Sequence, residues 1–281
     1  MTKAILIGLF IDNGKNKYSD FERSLAEMKT LAMTLETETV CTVTQSLPAP
    51  DSATYIGSGK VSEIRALIEE LNTDVVLFDG TLSPMQLKNL SNALDSDVAD
   101  RTSLILDIFS EHARSREAKL QVETAELEYM LPRLAGLRTK LGRQGGTSGA
   151  MSNKGAGEKK IELDRRVIEH RMAELRRELD AVDRERATQR KKRMLSGIPR
   201  IALVGYTNAG KSTIMNTMLS LYGTDDDKKV LEKDMLFATL DTSVRKIIPD
   251  TGKPFLLSDT VGFIEGLPAT LVKAFCSTLE E

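Results

Sequence analysis

The chain is poor in the residues that cross-link small folds or bind transition metals. Its 281 residues include two cysteines, two histidines and no tryptophan. Cys41 and Cys276 are far apart and in no metal-ligand spacing, and His112 and His170 are isolated. These absences exclude a disulfide scaffold and a zinc site, and they are typical of a reducing cytosol. We therefore expect a cytoplasmic protein.

Long apolar runs and a strong charge of one sign are also lacking. The N-terminal stretch MTKAILIGLFIDNGK is too short to span a membrane and has no small-residue cleavage site, so it predicts a first strand and no membrane partner. A formal net charge of −2 excludes a uniformly basic coat, so any contact with nucleic acid must be local. With 41% hydrophobic and 28% charged residues, the composition is globular, and the length suffices for about two domains.

Strand-like and helix-like segments alternate over residues 1–114. The apolar runs 3–11 and 74–78 are typical of buried strands, and 39–44 and 97–99 are shorter candidates. The predicted helix starts are a capping box of Ser19 and Glu22, the turn GSGK at 57–60, Ser83 with Pro84, and Thr102. This alternation predicts an α/β fold with a small parallel sheet.

Residues 115–196 show heptad-like spacing instead. Apolar residues recur at steps of four, three or seven in two segments, Leu120, Leu127, Leu131, Leu134 and Leu141, then Ile161, Ile168, Met172, Leu175, Leu179 and Val182. Thr124 and Arg138 fill the remaining steps of the first segment, so that its spacing alternates between four and three. We predict an antiparallel, coiled-coil-like α-helical hairpin, with Pro132 kinking or dividing its first helix. Two amphipathic helices packed on the sheet domain would show the same spacing.

The segment between these predicted helices, residues 142–158, is rich in glycine. Five glycines lie between Gly145 and Gly157, and the nearby positive charges are Arg143, Lys154, Lys159 and Lys160. We predict a flexible cationic loop that follows a phosphate surface, although a disordered linker has the same composition. Lys and Arg outnumber Asp and Glu by 13 to 9 over residues 158–193, as a solvated helix face also does.

A phosphate-binding motif lies at residues 201–213, IALVGYTNAGKST. It meets the pattern G-x-x-x-x-G-K-[ST] between a β-compatible and a helix-compatible segment, and such a loop turns backbone N–H groups towards phosphate oxygens. Lys211 would lie along the β- and γ-phosphates and Ser212 would bind Mg²⁺. The predicted contacts are Gly205, Tyr206, Thr207, Asn208, Ala209, Gly210, Lys211, Ser212 and Thr213. GSGK at 57–60 lacks the earlier glycine and the following hydroxyl, which predicts only a turn and a helix start.

A second motif, D-x-x-G, runs from Asp259 to Gly262. It follows two predicted strands, 243–248 and 254–257, that are joined by a hairpin turn at 249–253, and ligands bind at the carboxyl ends of strands in α/β sheets. We expect Asp259 to hold Mg²⁺ through water and the Gly262 N–H to touch the γ-phosphate.

The segment between the two motifs supplies a further predicted metal ligand. Thr239 would complete the Mg²⁺ shell, with Thr242 as the competing choice, and both segments would close on a triphosphate and open after hydrolysis. The transition-state and γ-phosphate contacts are Lys211, Thr239 and Gly262. The remaining predicted nucleotide contacts are Phe237, Ala238, Leu240, Asp241, Asp259, Thr260 and Val261.

Taken in order, the motifs resemble those of the HflX family of translational GTPases over nearly the whole chain. The segments that carry the resemblance are YIGSGKVSEI (55–64), DRTSLILDIF (100–109), LQVETAELEYMLPRL (120–134), GAGEKKIELDRR (155–166), GYTNAGKST (205–213), FATLDTS (237–243) and DTVGF (259–263). The resemblance implies an N-terminal α/β subdomain at 1–114, a helical hairpin at 115–196 and the first part of a P-loop GTPase domain at 197–281.

The resemblance also implies a function. It implies GTP hydrolysis with Mg²⁺ and binding to the large ribosomal subunit and its rRNA, with the glycine-rich loop near the peptidyl-transferase region. Such factors split or rescue stalled ribosomes under stress. Asn208 resembles the asparagine with which some related GTPases bind a monovalent cation, so K⁺ near Asn208 is a hypothesis.

Two departures from the usual GTPase pattern leave alternatives open. Phe263 stands where many GTPases place a water-orienting Gln, so we expect slow intrinsic hydrolysis, with the ribosome completing the site. No N-K-x-D motif follows Phe263, so the residues predict a nucleoside triphosphate without choosing guanine over adenine. The missing motif also predicts that the chain is a fragment of a longer protein, and that its strand at 256–257 lacks neighbours in the sheet. An ATP-using P-loop protein and an RNA-binding module whose conformation is merely set by nucleotide both fit. The sequence does not indicate an oligomeric state.

Overall fold

The computed structural model describes residues 1–14, 16–143, 153–195, 197–222, 243–264 and 267. The elements within these ranges are, in chain order, β1 (Thr2–Ile11), α1 (Tyr18–Thr34), β2 (Thr37–Leu47), α2 (Ser58–Leu71), β3 (Val75–Asp79), α3 (Pro84–Leu94), β4 (Asp97–Asp100), α4 (Arg101–His112), α5 (Arg116–Arg143), α6 (Asn153–Leu195), β5 (Arg200–Leu203), α7 (Lys211–Tyr222), β6 (Ser243–Ile247) and β7 (Phe255–Asp259). The chain divides into a first unit, residues 1–107 with 126–173, and a second unit, residues 108–125 with 174–281.

The first unit is built on a four-stranded sheet of order β2-β1-β3-β4, in which every pair is parallel. β1 lies between β2 and β3, and its residues Ala4 to Ile7 are at most 1% exposed. Ile5 and Ile7 join one core with residues of α2, β3 and α3. At Gly8, an added β-carbon would lie 2.7 Å from Leu25 Cδ2, so α1 packs closely on β1. The predicted parallel sheet with a buried first strand is confirmed.

Helix α3 begins where its sequence signal predicts. Ser83 is the N-cap before Pro84, and its capping box with Gln86 is complete, with N–O distances of 2.9 and 3.2 Å. α2 begins at Ser58, as the turn at 57–60 predicts. The box predicted at Ser19 is wrong, because α1 begins one residue earlier, at Tyr18, without a side-chain cap bond.

Asp100, at the end of β4, is fully buried and caps α4. Its carboxylate accepts hydrogen bonds from the Ser103 N–H at 2.8 Å, the Leu82 N–H at 2.9 Å and the Tyr129 hydroxyl at 2.8 Å. The predicted cap, Thr102, is therefore wrong, since the helix begins before it and the Asp100 carboxylate takes the cap position. One carboxylate thus joins β4, α5 and the loop before α3.

The next residue, Arg101, joins the sheet to α1. Its guanidinium lies 3.0 Å from the Asp79 carboxylate and 3.1 Å from that of Glu27, and it donates to Ser24 at 3.0 Å. The side chain of Arg101 is only 6% exposed, so its charge is compensated inside the protein. Removal of one partner from a buried ion pair typically destabilises a protein by about 3–5 kcal/mol.

Helix α5 continues through Pro132, so the predicted division of this helix is wrong. Proline removes one helix N–H, but the following residue adds bonds of its own. The Arg133 guanidinium donates to the Tyr129 carbonyl at 2.7 Å and to the Leu82 carbonyl at 3.1 Å, and it lies 3.2 Å from the centre of the Tyr129 ring. These contacts hold α5 against the loop before α3 directly after Pro132.

The two long helices run antiparallel, as predicted. Arg116 and Glu117 at the start of α5 pair with Glu178 at 3.0 Å and with Arg186 at 2.6 Å in the second half of α6. The predicted α6 seam is also confirmed at Leu175, which is fully buried. Both ends of the predicted loop 142–158 are helical, because α5 reaches Arg143 and α6 begins at Asn153. Residues 144–152 lie outside the described part of the chain.

The second unit carries a three-stranded sheet of order β5-β7-β6. β7 is parallel to β5 and antiparallel to β6, so the predicted lack of neighbours at residues 256–257 is wrong. Met215 and Leu219 of α7 pack with Ile247 and Leu257 in a small core. The predicted turn between β6 and β7 is confirmed, and Gly252 takes a φ of 115° in it. In the described ranges, no helix is both long and apolar enough to cross a membrane.

Candidate nucleotide-binding site

The loop from Val204 to Gly210 joins β5 directly to α7. Asn208 and Gly210 take left-handed φ values of 56° and 81°. Glycine adopts this conformation without strain, and asparagine tolerates it better than most residues. The strand, loop and helix expected from the motif are therefore present in that order, and the loop ends at a helix N-terminus.

The Lys211 side chain folds back over this loop. Its Nζ donates to the Tyr206 carbonyl at 2.7 Å and to the Gly205 carbonyl at 3.2 Å. Burial lowers the pKa of Lys211, and the nearby Asp259 carboxylate opposes that shift. The Gly205 and Tyr206 carbonyls thus hold the ammonium group at the start of α7.

Ser212 and Asp259 meet although they are far apart in sequence. The Ser212 hydroxyl donates to the Asp259 carboxylate at 2.7 Å, and Asp259 is fully buried. This meeting follows from strand order, because β5 and β7 are parallel neighbours and Leu203 pairs with Asp259. The phosphate loop and the D-x-x-G segment therefore leave the same edge of the sheet, where ligands bind in α/β folds.

The segment after β7 is bonded to the phosphate loop. The Thr260 hydroxyl donates to the Leu203 carbonyl at 2.7 Å. The Phe263 N–H donates to the Gly205 carbonyl at 3.0 Å, and the Phe263 carbonyl accepts from the Thr207 N–H at 2.8 Å. These two main-chain bonds form a parallel bridge between Tyr206 and Phe263.

The described residues bring most of the predicted site together. Residues 205–213 form the loop and the start of α7, and 259–262 lie beside them at the end of β7. The predicted contacts Phe237, Ala238, Thr239, Leu240 and Asp241, and the competing Thr242, lie outside the described residues. Sequence reasoning missed the main chain of Phe263, because its bonds depend on strand register and not on its side chain.

A strand, a G-x-x-x-x-G-K-S loop, a helix N-terminus and a D-x-x-G segment on the neighbouring strand define a P-loop nucleotide-binding protein. Three family models match the chain in succession. They are described as GTP-binding GTPase N-terminal, over residues 22–110, GTP-binding GTPase Middle Region, over 112–193, and 50S ribosome-binding GTPase, over 200–280.

Proteins of similar sequence place the chain in one family of P-loop proteins. The chain is 47% identical over 277 residues to the GTPase HflX of Alkalihalophilus pseudofirmus, which covers 99% of this chain and 62% of that relative. It is 40% identical over 280 residues to the GTPase HflX of Escherichia coli, with coverage of 99% and 62%. The chain belongs to the HflX family of GTPases.

A solved structure is also similar. It is a GTP-binding protein from Sulfolobus solfataricus in complex with GDP, with a TM-score of 0.52 at 25% identity, and the match covers 99% of this chain and 67% of that one. Compared with the curated relatives that it matches, the chain spans about three fifths of their length.

Proposed function

We propose that this chain is part of a GTPase that binds and hydrolyses GTP as a switch on the large ribosomal subunit, where it splits or rescues stalled ribosomes. The observation that carries the proposal is the 2.7 Å hydrogen bond between Ser212 and Asp259, with Lys211 beside them at the end of the sheet. The ribosomal part is supported by the family model described as a 50S ribosome-binding GTPase. GTP as the nucleotide is supported by the GDP complex of the Sulfolobus protein.

In this proposal the loop N–H groups and Lys211 bind the phosphates. A β-carbon added at Gly205 would lie 3.8 Å from Ala209 Cβ and 3.9 Å from Lys211 Cδ, which is ordinary contact. Among the described residues there is room for a side chain there, and a phosphate that approaches the main chain would explain the glycine at this position. Lys211 would then exchange its carbonyl partners for the β- and γ-phosphates.

The residues also fit Mg²⁺. A hydroxyl and a carboxylate oxygen, at Ser212 and Asp259, lie within hydrogen-bonding distance, and such hard oxygen donors are the ligands that Mg²⁺ prefers. We propose that Ser212 and Thr239 hold the ion, with Asp259 acting through water. When bound, Mg²⁺ neutralises charge that develops on the phosphates. A K⁺ ion near Asn208 is a further proposal, against which equal hydrolysis rates in Na⁺ and K⁺ would count.

Hydrolysis is expected to be slow without the ribosome. The Gly262 N–H would contact the γ-phosphate, but the aromatic ring of Phe263 cannot orient an attacking water. We propose that the ribosome completes the site. The division into a subdomain at 1–114, a hairpin at 115–196 and a GTPase domain at 197–281 is also proposed, and the family-model limits at 110, 112, 193 and 200 support it.

Nucleotide binding is tested with two lysine variants of the full-length protein. Lys211→Ala removes a charge-assisted phosphate contact, so GTP affinity should fall by roughly 30- to 150-fold, or about 2–3 kcal/mol. Lys60→Ala is the matched control, because Lys60 ends the similar-looking GSGK turn and pairs with Glu63 at 2.7 Å. Fluorescent-nucleotide titration measures both. Equal effects of the two variants would contradict the proposed site.

The ribosomal switch is tested by affinity for the large subunit. A GTP analogue with a non-hydrolysable γ-phosphate should tighten binding at least about tenfold over GDP, within the usual 1–3 kcal/mol of coupling between sites. Sedimentation with purified large subunits measures both affinities. Equal affinity with the two nucleotides would overturn the switch.

A further inference from the structure

Thr207 and Gly262 approach each other more closely than two side-chain-bearing residues can. A β-carbon added at Gly262 would lie 2.6 Å from Thr207 Cα and 2.7 Å from both Thr207 N and Thr207 Cγ2. Two of these atoms belong to the main chain, so a side-chain rotation cannot relieve the contact. Gly262 does not take a left-handed φ. Glycine is therefore required here for space, and Thr207 defines that space.

Main-chain bonds hold this contact in place. The Thr207 N–H donates to the Phe263 carbonyl at 2.8 Å, and the Phe263 N–H donates to the Gly205 carbonyl at 3.0 Å. On the other side of Gly262, the Thr260 hydroxyl donates to the Leu203 carbonyl at 2.7 Å. Gly262 is thus held by bonds on both sides, and the position that its β-carbon would take lies against the Thr207 methyl group.

We propose that Thr207 is a positioning residue for hydrolysis, whose Cγ2 methyl sets where the Gly262 N–H meets the γ-phosphate. This inference rests on the proposed GTP hydrolysis. A hydrogen bond to a reacting phosphate acts only over a narrow range of distance and direction, and a donor held in advance stabilises the transition state most. GDP has no γ-phosphate, so its binding does not depend on this spacing.

Two substitutions separate the methyl group from the hydroxyl group of Thr207. Thr207→Ser removes Cγ2 and keeps the hydroxyl, whereas Thr207→Val keeps a methyl at Cγ2 and removes the hydroxyl. In the full-length protein, Thr207→Ser should lower kcat by about tenfold, a small part of the roughly 100- to 1,000-fold that loss of a positioned donor costs. KM should change less than about twofold, since ground-state binding is unaffected. Thr207→Val should retain the larger share of kcat.

The measurements are steady-state GTP hydrolysis with ribosomes and fluorescent-GDP affinity. Retained GDP affinity in both variants shows that the loop is folded, so a fall in kcat then reports positioning. The inference is overturned if Thr207→Val loses more kcat than Thr207→Ser, because the hydroxyl would then make the contribution. It is also overturned if the two variants lose GDP affinity as much as kcat. Absence of hydrolysis in the parent protein would instead contradict the proposed function.

Discussion

Tyr55 combines a left-handed main chain with a half-buried side chain in the first unit. Its φ is 66°, and its ring meets that of Phe78 edge-on with centroids 6.0 Å apart. Its hydroxyl lies against Gly80, at the carboxyl end of β3. Burial raises the pKa of Tyr55 to about 12, and the carboxylates of Asp79 and Asp100 add to the shift. The folded protein therefore favours the neutral phenol.

This shift predicts a loss of stability at alkaline pH. Because the folded pKa is raised, the contribution is complete below the unfolded value of about 10 and is lost as pH rises through the folded value near 12. Two pKa units correspond to about 2–3 kcal/mol. Urea unfolding at pH 9 and pH 11.5 should show a larger fall for the parent than for Tyr55→Phe. Identical falls in stability for the two proteins would contradict the raised pKa of Tyr55. A rise in phenolate absorbance near pH 12 that is as large in Tyr55→Phe as in the parent would also contradict it.

Individual site residues could be predicted from the sequence where a motif defines them by spacing. Lys211 can be distinguished from Lys60 because both glycines and the hydroxyl of the phosphate-loop motif surround Lys211 at the required spacing, whereas the motif around Lys60 is incomplete. The role of Phe263 could not be found in this way. Its two bonds to the loop arise from its main chain and from the pairing of Leu203 with Asp259, which no single residue type encodes.

At the scale of elements, two glycines of the first unit predict opposite responses to alanine. Gly59 lies in the first turn of α2, and no atom of the described residues beyond its neighbours lies within 4 Å of a β-carbon added there, so Gly59→Ala should raise stability by up to about 1 kcal/mol. The β-carbon of an alanine at position 80 would clash with the Tyr55 hydroxyl and would lie 2.9 Å from Tyr55 Cζ. Gly80→Ala should therefore lower the free energy of unfolding by about 1–3 kcal/mol. Urea unfolding of the two variants measures the difference. Stabilisation by Gly80→Ala would contradict the packing around Tyr55.

Strand and helix order could be predicted because apolar periodicity reflects which faces are buried. Helix starts depended on tertiary contacts instead. α1 begins at Tyr18, one residue before the predicted start at Ser19. The Tyr18 ring packs on Phe10 and Phe21, with centroids 5.3 and 5.6 Å away, and the contact with Phe10 is tertiary. α5 continues through Pro132, and directly after it Arg133 bonds to the Leu82 carbonyl, a contact between distant segments that local propensity cannot show.

At the scale of the molecule, the choice between guanine and adenine is the property that the described residues determine least. The loop and the D-x-x-G segment contact phosphates and metal in the proposed function, and these groups are the same in GTP and ATP. Membership of the HflX family favours GTP. Competition in the full-length protein should show that excess unlabelled GTP displaces a fluorescent guanine nucleotide while excess ATP does not. Equal displacement would favour the ATP-using alternative.

The remaining alternative, an RNA-binding module in which turnover is incidental, differs from a switch in how nucleotide and ribosome binding are coupled. Coupling is reciprocal, so a site that raises ribosome affinity with GTP must lose that gain when GTP no longer binds. At a GTP concentration that saturates the parent but lies below the weakened Kd of the variant, Lys211→Ala should therefore gain no affinity for large subunits over its GDP state, and it should fail to split ribosomes. Lys60→Ala should keep the nucleotide response. Sedimentation and light scattering measure the two properties, and full splitting by Lys211→Ala would identify the module in place of the switch.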